Sequence, residues 1–284
     1  MKYLEAIKGS SIAFIFFAVL AIVVPGAGPA NDVEIVLTVS TFLFAIIYGF
    51  FITRSFSRFT YIEENLAVED AKMLSLYRTS RLWGKEFQEQ VGGLIDEYYI
   101  DVLDYPLDDY YKGTADKMDQ LYDLLATSTP LRGETADEAY GPVVGLLADI
   151  EEQRNRNSVR AQQSMTIGHW AVLLVLAGVI ISSLYFLKVP MFFSQIVTVL
   201  LATMTVLLLL ILRDVSNLRL GGVMIAAESA QEIFEMMGKL RYYSDTYIKD
   251  GTTTIPDNIS RYRHGLHKAG EDFDIEIIDR SAAK

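Results

Sequence analysis

Residues Ile35 to Thr53 read IVLTVSTFLFAIIYGFFIT, without a charged side chain, between Glu34 and Arg54. A helix crossing about 30 Å of hydrocarbon needs roughly 20 apolar residues. This stretch therefore predicts a transmembrane helix. Reading outward finds three more. Gly9 to Ala30 carries no charge, Val189 to Leu212 carries none, and in Ala161 to Leu187 only His169 titrates apart from tyrosine. Within such blocks the backbone must satisfy its own hydrogen bonds, which selects a helix. Pro25, Gly26, Gly28 and Pro29 close the first block and make a tight link. Pro190 opens the fourth, where its missing N–H costs little. Both links are short, so the expected fold is an all-α polytopic membrane protein with its four spans in two antiparallel hairpins. A second reading of the first block is a cleaved signal peptide, from Lys2 and Lys8, the apolar run and Gly-Ala-Gly-Pro-Ala after it.

Charge next to the spans sets orientation. Lys2 and Lys8 precede span one, Arg54 and Arg58 follow span two, Arg154, Arg156 and Arg160 precede span three, and Arg213 and Arg219 follow span four. The first link has no Lys or Arg and the second has only Lys188. The basic flanks thus fall on one side, which predicts a multi-pass protein of the cytoplasmic (inner) membrane with both termini inside. The resulting division is a first hairpin (1–53), a cytoplasmic helical domain (54–160), a second hairpin (161–212) and a cytoplasmic helix and tail (213–284).

The formal net charge is −11. Between Arg54 and Met165 there are 21 acidic and 12 basic residues, a balance of −9. That argues against a nucleic-acid partner, since phosphate recognition needs clustered Lys and Arg. There is no cysteine, which excludes disulfides, thiolate catalysis and Cys-based metal sites. No phosphate-binding glycine loop, Gly-x-Ser-x-Gly or His-Glu-x-x-His occurs, so the reading is non-enzymatic and without a cofactor.

In the middle segment, Leu66, Met73, Leu76, Tyr77 and Leu82 recur at helical spacing and predict a helix over 63–99. A second is expected from about Gln88 to Pro106, with Gly92 and Gly93 as a kink or a close-packing point. Thr114–Thr127 is amphipathic, 128–135 is a loop with Pro130 and Gly133, and Glu138–Ser164 predicts a long helix running directly into span three. The tail is expected as helix from Gly222 to Lys249, broken by Gly251 to Pro256. Asp272–Asp279 suits a short strand or a disordered end.

Glu69-Asp70-Ala71 followed by Leu76-Tyr77-Arg78 resembles the start of the cytoplasmic domain in the bestrophin-like four-helix membrane proteins, distant relatives of bestrophin channels. Tyr98 or Tyr99, then Val102 and Asp104-Tyr105-Pro106, is similar to that family's acidic-aromatic-proline step. Arg156 and Arg160 before Trp170 resemble its entry into span three, and Leu212-Arg213-Asp214 through Leu220-Gly221 its exit from span four. The family usually has Leu-Asp-x-Pro at that exit, whereas Val215-Ser216-Asn217 has no proline. The contiguous acidic calcium clasp of true bestrophins is not visible. The resemblance implies a homo-oligomeric ring in the lipid bilayer, five-membered in bestrophins, that passes small inorganic ions with span two lining the pore.

Within that frame Phe42, Ile46 and Phe50, four apart, share one face of span two. They form a pore neck in a ring, or else contact lipid and neighbouring helices. Thr38, Thr41, Ala45 and Gly49 make an adjacent small-residue face that suits close helix approach. Glu97, Asp101, Asp104 and Asp108 form a carboxylate stripe, read either as an acidic vestibule or as a solvated face. Such a mouth favours a cation or weakly selective pore over an anion channel. Arg154, Arg156 and Arg160 are candidates for lipid or anion contact, with pairing to Glu151 and Glu152 as the plainer role. His169 beside Trp170 is a pH or ion site or an interfacial anchor. His264 and His267 are a weak metal signal. The rival reading is a membrane-anchored scaffold or sensor that conducts nothing.

Overall fold

In a computed structural model of the chain, residues 4–127, 134–220, 223–224 and 227–281 are described. Of the expected loop at 128–135, residues 128–133 lie outside them, and 134–135 belong to the helix that follows. Helices run in the order α1 (Ala6–Val23), α2 (Asn31–Thr79), α3 (Lys85–Asp104), α4 (Tyr110–Gly113), α5 (Ala115–Thr127), α6 (Glu134–Gln162), α7 (Ile167–Leu187) and α8 (Phe192–Ser216). Two short strands follow, β1 (Arg219–Leu220) and β2 (Val223–Met224), then α9 (Ala227–Met236), β3 (Tyr242–Ser244), α10 (Asp245–Asp250), β4 (Arg261–Gly265) and β5 (Ile275–Asp279). The fold is mostly helical, and α1, α2, α7 and α8 are long and apolar enough to cross a membrane.

The chain divides into two compact units. One holds α1, α2 as far as Phe59, α7 and α8. Here α1 lies closest to α8, through Phe17, Ala21, Val199 and Ala202 with Tyr185 of α7. Phe44 of α2 packs with Leu173, Ala177 and Ile180 of α7 and Leu209 and Leu212 of α8. The two helix links meet: the N–H groups of Ala27 and Gly28 donate to the Phe186 carbonyl at 2.8 and 3.3 Å.

The first turn of α1 holds no acidic residue and its last turn no basic one to offset the helix dipole. Distant residues supply both. The buried Asp214 accepts from the Ala6 N–H at 3.2 Å. At the other end the buried Lys188 ammonium donates to the carbonyls of Ala21 and Val24. An acid at the N-terminus and a base at the C-terminus each stabilise a helix, most where water is excluded.

The other unit holds α2 from Thr60, α3 to α6 and the region from β2 onward. Its core includes Ile62, Met73, Leu76, Phe87, Ile95, Met118, Leu147 and Ile150, all buried. The expected helix over 63–99 is interrupted: α2 continues to Thr79, a 3-10 turn covers Ser80–Trp83, and α3 restarts after Gly84. Gly84 has φ +107°, a conformation that glycine adopts without steric cost. Gly92 is a packing point, since a Cβ there would stand 2.9 Å from the Tyr77 ring.

Two further expectations are corrected. The helix over 138–164 does not run into span three, because α6 stops at Gln162 and α7 starts afresh at Ile167. Thr166 caps α7, and His169 Nδ1 accepts from the Thr166 N–H at 3.3 Å, closing a capping box. The tail is not one continuous helix to Lys249, which lies in the separate α10. It ends α9 at Met236, turns at Gly238 (φ +75°) and builds a three-stranded sheet in the order β3-β4-β5. β4 runs parallel to β3, with Tyr243 opposite His264, and antiparallel to β5, with Arg263 opposite Ile277.

Candidate functional site

Leu66, Glu69, Asp70 and Met73 share one face of α2 by their i, i+3, i+4, i+7 spacing, and all four are buried. Two of these core positions are carboxylates, which need partners. The tyrosines of α3 supply them. Tyr98 Oη donates to Glu69 Oε1 at 2.5 Å, and Tyr99 Oη donates to Asp70 Oδ1 at 2.6 Å. The Tyr110 hydroxyl donates to Glu69 Oε2 at 3.0 Å, and the Asn157 amide reaches the same oxygen at 3.2 Å. Burial, the largest cause in each case, pushes the Glu69 carboxyl up to about 7 and that of Asp70 up to about 6. These hydrogen bonds to the ionised forms oppose the rise without cancelling it.

Arg154 completes this layer. Its side chain is wholly buried, and it donates to Glu151 at 2.6 Å, to Thr114 Oγ1 at 2.6 Å and to the Tyr111 carbonyl at 3.1 Å. Its guanidinium lies 5.3 Å from the Tyr98 ring centroid and 5.1 Å from that of Tyr111. A planar cation between two aromatic faces is well held.

On the far part of α3, Asp104 accepts from the Tyr242 hydroxyl at 2.9 Å and lies 2.9 Å from His267 Nε2. About two turns earlier, Asp96 binds Arg263 at 2.9 Å and Lys239 at 2.9 Å. These contacts join the tail sheet to α3 within the same unit.

The profile of the bestrophin-like domain matches residues 10–217. The chain belongs to the bestrophin-like family. No curated protein and no solved structure matches the bestrophin-like chain. The stretches that carried the resemblance meet in space: Glu69 and Asp70 from one, Tyr98 and Tyr99 from another.

The candidate residues are distributed unevenly. Phe42, Ile46 and Phe50 of α2 are 65, 54 and 63% exposed, on a face other than the one whose Phe44 packs against α7 and α8. Of the acidic stripe, Asp101 and Asp104 are buried, Glu97 binds Lys117 at 2.7 Å, and Asp108 is exposed. Arg154 therefore lies inside the unit, out of reach of a headgroup. Arg156 is exposed and pairs with Glu152, while Arg160, also exposed, lies 4.9 Å from the Tyr61 ring. His264 and His267 face different carboxylates, Asp245 at 3.3 Å and Asp104 at 2.9 Å. His169 acts as a helix cap, and its ring lies tilted against Phe51 with centroids 4.6 Å apart. Sequence reading missed the Glu69–Asp70 network, although two carboxylates on an otherwise apolar helix face were a usable signal.

Proposed function

We propose that this bestrophin-like protein is an oligomeric pore of the cytoplasmic membrane, a non-enzymatic ring in which α2 lines the axis. The observation that carries this reading is the exposed Phe42–Ile46–Phe50 stripe on α2, in a chain of a channel-type family. Around an axis such a stripe forms an apolar neck that gates by dewetting. The four spans form two antiparallel pairs, with both termini and the acidic helical domain inside. The common end of the two helix links supports that layout, because the basic flanks then all lie at the other end. Asp214 and Lys188 support retention of α1 as a span, since both would lose buried partners with its removal. The acidic balance of the middle segment favours cations or weak selectivity.

One observation favours the second reading, a non-conducting membrane-anchored scaffold. Asp101 and Asp104 are buried within their unit, which removes two of four charges from the proposed vestibule. The two readings separate on reconstitution. Purified protein in liposomes passes ions in the pore reading, and Phe42→Ala, Ile46→Ala and Phe50→Ala each change the flux. A monomer or dimer that passes none leaves the scaffold.

A further inference from the structure

Glu69 is 1% exposed, and its two carboxylate oxygens are held in different ways. Oε1 accepts from the Tyr98 hydroxyl at 2.5 Å, and among the described residues that hydroxyl has no other acceptor. Oε2 accepts from the Tyr110 hydroxyl at 3.0 Å and from the Asn157 amide at 3.2 Å. Tyr110 differs from Tyr98 in one respect. Its hydroxyl also lies 3.2 Å from the backbone carbonyl of Arg154, so rotation about its C–O bond gives its proton a second acceptor. A phenolic oxygen whose proton has turned away can itself accept.

Both protonation states of Glu69 therefore find a full set of partners. In the ionised state Tyr98, Tyr110 and Asn157 all donate to it. In the neutral state the added proton sits on Oε2 and is donated to Tyr110 Oη, while the Tyr110 proton turns to the Arg154 carbonyl. No heavy atom has to move, and no buried donor loses its acceptor, which is the usual cost of changing a buried charge. A proton on Oε1 has no such outlet, because Tyr98 would give up its acceptor. The titratable groups facing Glu69 come from four helices. Asp70 of α2 disfavours the anion and Arg154 of α6 favours it. Tyr98 and Tyr99 of α3 and Tyr110 of α4 stay protonated, since burial raises all three. Burial of Glu69 itself is the largest influence and brings its carboxyl up to about 7.

We propose that Glu69 is a reversible proton-binding site, with the Tyr110 hydroxyl as a relay that serves both of its states. Uptake of the proton leaves Glu151 as the carboxylate facing Arg154, and so changes the charge of the layer that ties α2 to α3, α4 and α6. A buried group that titrates in this way is a pH sensor for the unit that contains it. The site does not depend on whether the spans conduct.

Infrared difference spectra of the full-length protein in lipid vesicles, taken from about pH 5 to about pH 9, test it. A protonated-carboxyl C=O band should disappear with a midpoint of about 7 and be missing from Glu69→Gln. The two tyrosines should then behave differently. Tyr98→Phe removes a donor that serves the ionised state most, so the midpoint should rise by about one to two pH units. Tyr110→Phe removes a group that serves both states, and should move the midpoint by less than half as much. That comparison decides the matter if Glu69→Gln fails to fold. No carboxyl band in this window that Glu69→Gln removes, or a midpoint raised as far by Tyr110→Phe as by Tyr98→Phe, would overturn the proposal.

Discussion

Arg154 shows how a single side chain is placed by its surroundings rather than by its neighbours in sequence. It sits in a run with Arg156 and Arg160, yet only Arg154 is buried, because α6 turns that one position toward Tyr98 and Tyr111. Removing it strands Glu151 and the charge layer around Glu69. Arg154→Ala should therefore destabilise the folded protein by about 3–5 kcal/mol, the usual cost of deleting one partner of a buried pair, read from thermal unfolding in detergent. The carboxylates beside it set a pH dependence. Glu69 and Asp70 titrate at about 7 and about 6 when folded, against about 4 in an unfolded chain. The folded state then holds more protons in the window between, so stability is greatest at the acid end and falls as pH rises from about 4 to 7. Glu69→Gln should flatten the upper part of that slope, visible as a smaller difference in Tm between pH 5.5 and pH 8. The sequence marked Glu69 only through the resemblance of Glu69-Asp70-Ala71 to the family. Its partners stand 29 or more positions away.

At the scale of elements, what the sequence disclosed depended on how far apart the deciding contacts lie. The four spans were readable because each is a local run without charge. The break at Gly84 was harder, since a single glycine inside an amphipathic pattern interrupts a helix only where a positive φ is required. The sheet was not readable. β3 has three residues, all buried, and β4 reads Arg-Tyr-Arg-His-Gly, without the apolar alternation of a half-buried strand. Both exist because Tyr242, Arg263 and His267 find Asp104 and Asp96 on α3, more than 130 residues earlier. This makes Gly265 critical. It pairs with Ser244, and a Cβ there would lie 1.9 Å from the Tyr242 hydroxyl, which is buried and bound to Asp104. Gly265→Ala should displace Tyr242 and lower stability by about 1–3 kcal/mol, the range for overpacking a filled core. Tyrosine absorbance or limited proteolysis of the tail would report it. α5 and β5, by contrast, lie close to where periodicity placed them.

For the whole molecule, the family and four spanning-length helices establish a bestrophin-like membrane protein, while the pore rests on the exposed stripe of α2. In a single chain that stripe faces outward, so its purpose is decided by what surrounds it, lipid or other copies. Because the chain has no cysteine, one can be introduced as the sole reactive thiol. The decisive measurement is ion current from reconstituted Phe42→Cys, Ile46→Cys and Phe50→Cys before and after a water-soluble, charged thiol reagent. A ring lined by α2 gives a current that each modification reduces or reshapes, with the unmodified cysteine-free protein unaffected. A current that survives modification at all three positions, or no current at all, would contradict the pore.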